Sequence, residues 1–387
     1  MAPSLSIAQR ILAQLKPALP EMVATLRRFT VAESPSLEKE AADHCCEIIA
    51  AEWKKCGAKV ERLAQKERGD HLRIVSGLSS PVKAKSQVLI LGHYDTVYAS
   101  GTLKDMPFRV AGGKAYGPGV FDMKAGIVQA LFAHAALQKL NISLNKRLVF
   151  LWTSDEEIGS QSSQKFIEEE ARRSDAVFVL EPSFGPRGLL KTERKGVGEA
   201  EIIVHGRASH AGLAPEEGIN ASHELCNQLS RVLKWNEPKR GTSVNADIVE
   251  GGTRANVIAE RARAVLDLRA TRVGDMRVLE RRLRALKPQL RGARLEVRGG
   301  FSRAPLERKM SAALFARAQS IAAQMNLRLG ECAAGGGSDG NFTAALGVPT
   351  LDGLGAVGDG AHSAREHIVT RAMPERAALL AALLATL

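Results

Sequence analysis

Three short apolar runs, each followed by residues that titrate or bind metals, constrain this 387-residue chain more than any other feature. The runs 88–91, 148–152 and 177–180 are rich in branched residues and too short for helices, so they predict buried strands. The polar segments GHYD, TSDEE and EP come at or directly after their ends. Because ligands of open α/β sheets bind at the carboxyl ends of strands, we expect a functional site there.

The pattern of predicted elements changes after residue 192. Between 193 and 303 it follows the order β-α-β-β-α-β of a ferredoxin-like fold. From residue 304 onward the sequence again shows the pattern of an α/β domain. We therefore predict an α/β catalytic domain in two segments, 1–192 and 304–387, interrupted by an inserted α+β domain at 193–303. The predicted elements of the insert are strands over 199–206, 243–251, 263–271 and 293–299 and helices over 219–235 and 275–286.

Composition excludes several classes of protein. No apolar run approaches the roughly 20 residues of a membrane helix, so we expect no membrane partner. The N-terminus lacks the apolar core of a secretory signal, and five cysteines without CxxC spacing fit reduced thiols, which together predict a cytoplasmic location. The net charge of +12 is compatible with nucleic acid, but aromatic residues make up only 4% and no nucleic-acid motif is present, so we expect no such partner.

The first strand end offers a histidine and a carboxylate. His93 and Asp95 alternate in extended geometry, so Asp95 can hold the ring of a metal-binding His93; the alternative is a core histidine satisfied by its neighbour. Asp122 follows a turn with two glycines and a proline before a predicted helix over 125–140, and its alternative role is a helix N-cap.

The next strand ends supply further carboxylates. Glu156 and Glu157 are neighbours whose charges repel, and a divalent cation would compensate them while one glutamate acts as a base; the alternative is an exposed acidic helix start. For Glu181 and His362 the alternative is an ordinary loop residue. Five ligands with one carboxylate shared would serve two metal ions, and the spare glutamate would make the site hydrolytic.

Six segments resemble the M20 metallopeptidase family, most closely its glutamate carboxypeptidase branch. They are LGHYDTVY at 91–98, YGPGVFDMKAG at 116–126, SDEEIGS at 154–160, LEP at 180–182, GRASHAG at 206–212 and GGGSDG at 335–340. The resemblance implies a discontinuous di-zinc catalytic domain with an inserted lid through which the chain forms a homodimer. The chain departs from that branch at Met123, where another acid often follows the bridging aspartate.

The resemblance also implies a role for each metal-site residue. Asp122 would bridge two zinc ions, and cobalt or manganese could replace zinc. Together with Asp122, Glu157 and His362 would bind one ion, and His93 and Glu181 would bind the other.

Other residues take catalytic and binding roles in the same resemblance. Glu156 would be the general base, with Asp95 supporting His93. His210 would polarise the scissile carbonyl across the dimer. The implied substrate contacts are Asn256, Arg269, Gly336 and Gly337; for the first two, an exposed turn or salt-bridge role is the alternative.

These observations predict a metallocarboxypeptidase or amidohydrolase whose substrate is a small N-acyl amino acid or peptide with a free carboxylate. We expect release of a C-terminal amino acid such as glutamate. An aminoacylase, a dipeptidase or an aromatic-amide hydrolase could use the same metal site, because the ligands do not report the acyl group. A non-catalytic binding protein would require a broken site, whereas all the expected ligand positions are occupied by suitable residues.

Overall fold

The computed structural model describes residues 5–76, 78 and 86–387. These residues form two compact units. The first unit runs to Thr192 and resumes with Arg308–Ala333 and Ser338–Leu387; the second unit comprises Glu193–Glu307 and Ala334–Gly337. Residues 1–4, 77 and 79–85 of the predicted segment 1–192 lie outside the described part of the chain.

The first unit contains both helices and strands, as the α/β interpretation predicts, although it begins with three helices followed by five strands. The elements of both units are as follows. The helices are α1 Ile7–Leu15, α2 Leu19–Val31, α3 Lys39–Lys55, α4 Ala125–Lys139, α5 Gln164–Arg172, α6 Ala221–Val232, α7 Val273–Arg284, α8 Arg308–Gln324, α9 Gly340–Ala345 and α10 Ala372–Thr386. The strands are β1 Lys59–Leu63, β2 His71–Val75, β3 Gln87–His93, β4 Arg109–Ala111, β5 Lys114–Tyr116, β6 Arg147–Thr153, β7 Ala176–Val179, β8 Leu190–Arg194, β9 Gly196–His205, β10 Ser243–Gly251, β11 Arg261–Ala270, β12 Arg294–Arg303, β13 Glu331–Ala334, β14 Thr350–Leu351, β15 Gly358–Asp359 and β16 His367–Val369.

A six-stranded sheet in the order β1-β2-β6-β3-β7-β14 is the centre of the first unit. Strands β6, β3, β7 and β14 are parallel to one another, whereas β1 and β2 are antiparallel to their neighbours. Strands β3 and β7 are buried along their whole length, which is why their sequences are apolar rather than alternating. The three predicted strands are therefore confirmed, and their carboxyl ends lie along one edge of the sheet.

Helix α4 is the central helix of the first unit. The stretch Val120–Lys139 is long and apolar enough to cross a membrane by length and composition, so the expectation that no run approaches this length is wrong. Packing explains its composition, because 83% of the apolar window is buried inside the protein. Helix α4 packs against α1, α2 and α10 and is covered on several sides, so it needs no polar face.

The second unit contains the predicted β-α-β-β-α-β order, built from β9, α6, β10, β11, α7 and β12. Its four strands form an antiparallel sheet in the order β10-β11-β9-β12. Helices α6 and α7 both pack against this sheet. The alternating burial along β11 matches its alternating sequence, as expected when one face of a sheet is covered by helices.

The second unit extends past residue 303, the predicted end of the insert. Arg194 and Leu306 exchange two backbone hydrogen bonds of 2.9 and 3.1 Å, so the chain stays paired beyond β12. Lys195 donates its backbone N–H to Ala334 at 3.1 Å, which joins residues 334–337 to the same unit. This last segment includes the first three glycines of the GGGSDG motif, whereas Ser338, Asp339 and Gly340 belong to the first unit.

A small sheet of the first unit has the order β15-β16-β5-β4. Its pairing of β16 with β5 sets His367 opposite Tyr116. Strand β5 leads directly into the turn before Asp122, and the β15–β16 connection contains His362. The small sheet therefore brings two predicted ligands together although they are far apart in the chain.

Candidate metal centre

His93 ends β3 and is almost wholly buried. Its Nδ1 lies 3.1 Å from the backbone oxygen of Asp95 and 3.3 Å from that residue's Oδ1. With its proton on Nδ1, the ring donates to Asp95 and keeps Nε2 as an electron-pair donor. Nε2 lies 3.3 Å from Oδ1 of Asp122 and 3.4 Å from Oε1 of Glu181.

Asp122 lies between the two histidines of the predicted set. Its Oδ1 faces His93, and its Oδ2 lies 3.4 Å from Nε2 of His362. The same Nε2 is 3.1 Å from each carboxylate oxygen of Glu157. The five predicted ligands thus form two groups, one with His93 and Glu181 and the other with His362 and Glu157, and Asp122 faces both.

The backbone around Asp122 is held by a residue that the sequence analysis did not identify. Glu366 is fully buried, and its carboxylate accepts the backbone N–H groups of Gly119, Phe121 and Asp122 at 3.0, 2.7 and 2.9 Å. Gly119 has a φ of 71°, a conformation that glycine adopts at little cost. The only sequence signal for this role of Glu366 was its position four residues after the predicted ligand His362.

Asp95 organises the turn that carries the two neighbouring glutamates. Its fully buried carboxylate accepts the backbone N–H of Glu156 at 3.2 Å on Oδ1 and that of Glu157 at 3.2 Å on Oδ2. Ser36 donates its hydroxyl to the same carboxylate at 2.7 Å. Asp95 therefore contacts both the ring of His93 and the glutamate turn, and its supporting role in catalysis stays a prediction.

Two further buried aspartates hold the same turn, and neither was among the predicted site residues. Asp155 accepts the backbone N–H and the hydroxyl of Ser162, each at 2.7 Å. Asp339, in the GGGSDG motif, accepts the hydroxyl of Ser160. Both aspartates thus hold the segment directly after Glu156 and Glu157.

Glu156 lies against the His93 side of the cluster. One ligand atom each from His93, Glu156 and Glu181 can be chosen so that all lie within 4.8 Å of one another. The same holds for His93, Asp122 and Glu157. Glu156 is therefore close enough to the candidate ligands to exchange a proton with a molecule bound among them.

The charges of this cluster favour a cation. Burial by itself lowers the pKa of His93, but the facing carboxylates, led by Asp122, outweigh it and raise that pKa well above its usual range. Asp122 and then Glu157 raise the pKa of His362 to about 10. Burial favours the neutral carboxyl of Asp122, yet the two histidines hold its pKa well below the ordinary value. Burial raises the pKa of Glu157.

The residues fit a metal ion. Nε2 of His93 and Oδ1 of Asp122 are buried and form no hydrogen bond to any described residue, although they face each other at 3.3 Å. Buried polar atoms are rarely left without a partner. Histidine nitrogens and carboxylate oxygens are donors that zinc and related divalent metals accept.

His210 and Asn256, both in the second unit, are brought together there. The backbone N–H of Ala211 donates to the backbone oxygen of Asn256 at 3.0 Å, and both side chains lie in exposed segments. Nδ1 of His210 accepts the backbone N–H groups of Gly212 and Leu213, each at 3.1 Å. The neutral ring must then carry its proton on Nε2, which makes that atom a hydrogen-bond donor.

The remaining predicted substrate contacts are engaged within the second unit. Nε and Nη2 of Arg269 donate to the carboxylate of Asp267 at 2.7–3.0 Å, which is the salt-bridge role that the sequence left open. The backbone oxygens of Gly336 and Gly337 accept hydrogen bonds from the guanidinium of Arg194 at 3.2 and 2.9 Å. This pairing holds the glycine segment in a defined backbone conformation.

Comparison with known proteins links this geometry to a family. The profile of peptidase family M20/M25/M40 matches residues 89–386. Carboxypeptidase G2 of Pseudomonas sp. is 30% identical over 375 residues, which cover 94% of this chain and 89% of that protein. A succinyl-diaminopimelate desuccinylase of Thioalkalivibrio sulfidiphilus is 26% identical over 340 residues, 84% of this chain and 88% of that protein. The crystal structure of aminopeptidase PepT from Bacillus cereus shares the fold with a TM-score of 0.79 at 20% identity, over 95% of this chain and 98% of that one.

Proposed function

The chain belongs to peptidase family M20/M25/M40. We propose that it is a two-metal carboxypeptidase that releases a C-terminal amino acid from an N-acyl or peptidyl substrate, with glutamate as the main candidate for that amino acid. The observation that carries the two-metal proposal is the position of Asp122, with one carboxylate oxygen toward each histidine. The similarity to carboxypeptidase G2 over 94% of the chain supports the carboxypeptidase activity.

His93, Glu181, His362 and Glu157 would hold two zinc ions, with Asp122 shared between them. When bound, such ions polarise a carbonyl and make a water molecule acidic near neutral pH. The chain's own contribution to that step is position, since Asp95 keeps the Nε2 lone pair of His93 directed into the cluster.

Glu156 is the proposed general base. Its carboxylate would accept a proton from the attacking water and then deliver it to the nitrogen of the leaving amine. Asp95 accepts the backbone N–H of Glu156, which fixes the stretch of backbone that carries this carboxylate. A positioned base of this kind contributes about 10²–10⁴-fold to the rate.

His210 would donate a hydrogen bond from Nε2 to the oxygen of the scissile carbonyl as negative charge develops there. Its two amide contacts at Nδ1 support this role, because they leave the proton on the donor side of the ring. We further propose that this histidine serves the active site of a second copy in a homodimer. The exposed edge strand β10, with Ile248 and Val249 on its surface, supports such pairing.

A second activity, an acylase that releases an amine without a recognised α-carboxylate, is favoured by one observation. Arg269, the proposed carboxylate clamp, is already paired with both oxygens of Asp267. A guanidinium in a two-pronged salt bridge has fewer N–H groups left for a substrate carboxylate. The desuccinylase similarity is compatible with this alternative.

The test is a hydrolysis screen of the zinc-loaded protein on N-acyl-glutamates, other N-acyl amino acids, dipeptides and N-acyl amines without a carboxylate. A chelator-treated sample is the control. Chelator-sensitive release of glutamate would support the proposal. Hydrolysis restricted to substrates without an α-carboxylate would replace it by the acylase activity, and inactivity toward the whole panel would contradict both.

A further inference from the structure

A cavity of about 290 Å³ lies beside Glu157 in the first unit. Its walls are the loops 35–38 and 96–99 together with Glu157 and Ile158. Two aliphatic side chains of these walls are open to solvent, Leu37 at 66% and Val97 at 48%. Large aliphatic residues that converge on one cavity mark a place where apolar ligand surface can be buried.

Hydrogen bonds between the two loops form the cavity in advance of any ligand. Thr96 donates its backbone N–H to Ser34 at 2.9 Å, and Ser36 donates its own to Thr96 at 3.2 Å. The hydroxyl of Ser36 also donates to Asp95 at 2.7 Å. A ligand therefore need not order these loops on binding, which lowers the entropic cost of association.

The cavity and the candidate metal centre share one residue. Glu157 belongs to the wall of the cavity, and its carboxylate lies 3.1 Å from Nε2 of His362. A molecule bound among the candidate ligands therefore lies next to this cavity.

The charge of the walls indicates which end of the substrate the cavity receives. Among the described residues that line the cavity, the ionisable ones are Glu38 and Glu157, and none is a lysine or an arginine. A carboxylate entering here would find no lysine or arginine in these walls to pair with and would lie near Glu38. The end of the substrate that carries the free carboxylate is therefore disfavoured, and a neutral apolar group is favoured.

We propose that this cavity, termed the acyl pocket, receives a neutral, apolar group on the carbonyl side of the scissile amide. The acyl pocket lies at the lower limit of the roughly 300–1,000 Å³ usual for ligand pockets, so an alkyl chain or a single ring fits it better than an extended peptide. This inference rests on the proposed function and specifies its substrate class: acyl-amino acids whose acyl group is apolar and uncharged.

A series of N-acyl-L-glutamates tests the proposal. We expect kcat/KM to rise about threefold for each CH₂ added from N-acetyl through N-butanoyl to N-hexanoyl, as burial of methylene groups predicts. N-succinyl-glutamate should react at least about tenfold more slowly than N-butanoyl-glutamate, because its second carboxylate would lose hydration near Glu38 without a lysine or arginine to pair with. Equal rates along the series, or a preference for the succinyl compound, would overturn the proposal.

Variants locate the effect. Leu37→Asp and Val97→Asp should each remove most of the advantage of hexanoyl over acetyl, measured as the ratio of the two kcat/KM values within each variant. The matched control is Leu5→Asp, which adds the same charge at another exposed leucine outside the acyl pocket. An unchanged chain-length profile in both pocket variants would contradict the assignment of these walls.

A binding measurement separates failure of the pocket from failure of the function. In the zinc-loaded Glu156→Gln protein, calorimetry should show N-hexanoyl-glutamate binding about 80-fold tighter than N-acetyl-glutamate, about threefold for each of four CH₂ groups, and Leu37→Asp should remove most of that difference. If wild type hydrolyses no acyl-glutamate but this preference persists, the proposed function fails and the acyl pocket stands. Hydrolysis without any chain-length preference in rate or binding would overturn the pocket alone.

Discussion

Glu366 accepts the backbone N–H of Asp122 at 2.9 Å across 244 positions of sequence. The residue whose carboxylate faces both histidines is thus held at its backbone by a second carboxylate. Two more N–H groups of the same turn end on Glu366. The position of Asp122 consequently depends on a buried acid in the last strand connection of the first unit.

Replacement of this acid should weaken the metal site rather than the fold. We expect Glu366→Gln, which keeps one acceptor oxygen, to lower metal affinity and kcat/KM by about 10–100-fold, the usual effect of removing an outer partner of a ligand. Metal titration and steady-state kinetics measure this. Glu169→Gln, an exposed acid of α5, is the matched control. Full metal affinity in Glu366→Gln would refute the positioning role.

The neighbouring glutamates should separate into a base and a ligand. Glu156→Gln should keep its metal while kcat falls about 10²–10⁴-fold. Glu157→Gln removes a carboxylate that lies 3.1 Å from His362 and should lower the metal content itself. Elemental analysis beside kinetics distinguishes the two variants. Equal metal loss in both would mean that Glu156 is a ligand as well.

His134 should make the protein less stable in mild acid. Burial against Trp53 and Phe150 lowers the pKa of His134 to about 4, whereas the unfolded chain binds its proton near 6.5. The neutral His134 ring therefore makes its full contribution to the free energy of unfolding above about pH 6.5. This contribution declines by about 3 kcal/mol as the pH falls to 4.

Denaturant unfolding at pH 7 and pH 4 measures this linkage. His134→Gln cannot take up the proton but keeps a polar group facing Ser76, which now lies 2.9 Å from the ring. Between pH 7 and pH 4, the unfolding free energy of wild type should therefore fall by about 3 kcal/mol more than that of the variant. A difference between the two proteins that stays constant with pH would show that His134 does not titrate in this way.

Mixed dimers should reveal whether His210 acts across subunits. Glu156→Gln and His210→Ala are each expected to be inactive alone. If the histidine serves the partner's site, a heterodimer of the two variants contains one site with both residues intact, and activity should return to about half of the wild-type value per dimer. Co-expression with two affinity tags isolates that heterodimer. No recovery in a verified heterodimer would assign His210 to its own subunit's site.

Sequence reasoning succeeded where residue type and strand position act together. The burial of β3, β6 and β7 follows from their apolar composition, and parallel strands bring their carboxyl ends to one edge. That rule was enough to predict that His93, Glu157 and Glu181 would gather. The β-α-β-β-α-β order of the second unit was equally accessible, because its strands and helices have clear periodicity.

Other features depend on contacts that have no local signal. The role of Glu366 requires β16 to pair with β5, two strands of only three residues each. The extension of the second unit to Glu307 depends on the Arg194–Leu306 pairing. The acyl pocket arises where two loops cross, and neither loop is unusual in composition.

Asp95 links three parts of the protein that would otherwise be able to change independently in evolution. It contacts the ring of His93, a proposed ligand, it accepts the N–H of Glu156, the proposed base, and through Ser36 it is tied to the loop that presents Leu37. Substitutions that move this loop would therefore also disturb the spacing of the proposed base and the proposed ligand. We expect divergence in substrate preference to be concentrated at the tips of the loops, at Leu37 and Val97, while Ser36 and Asp95 remain unchanged.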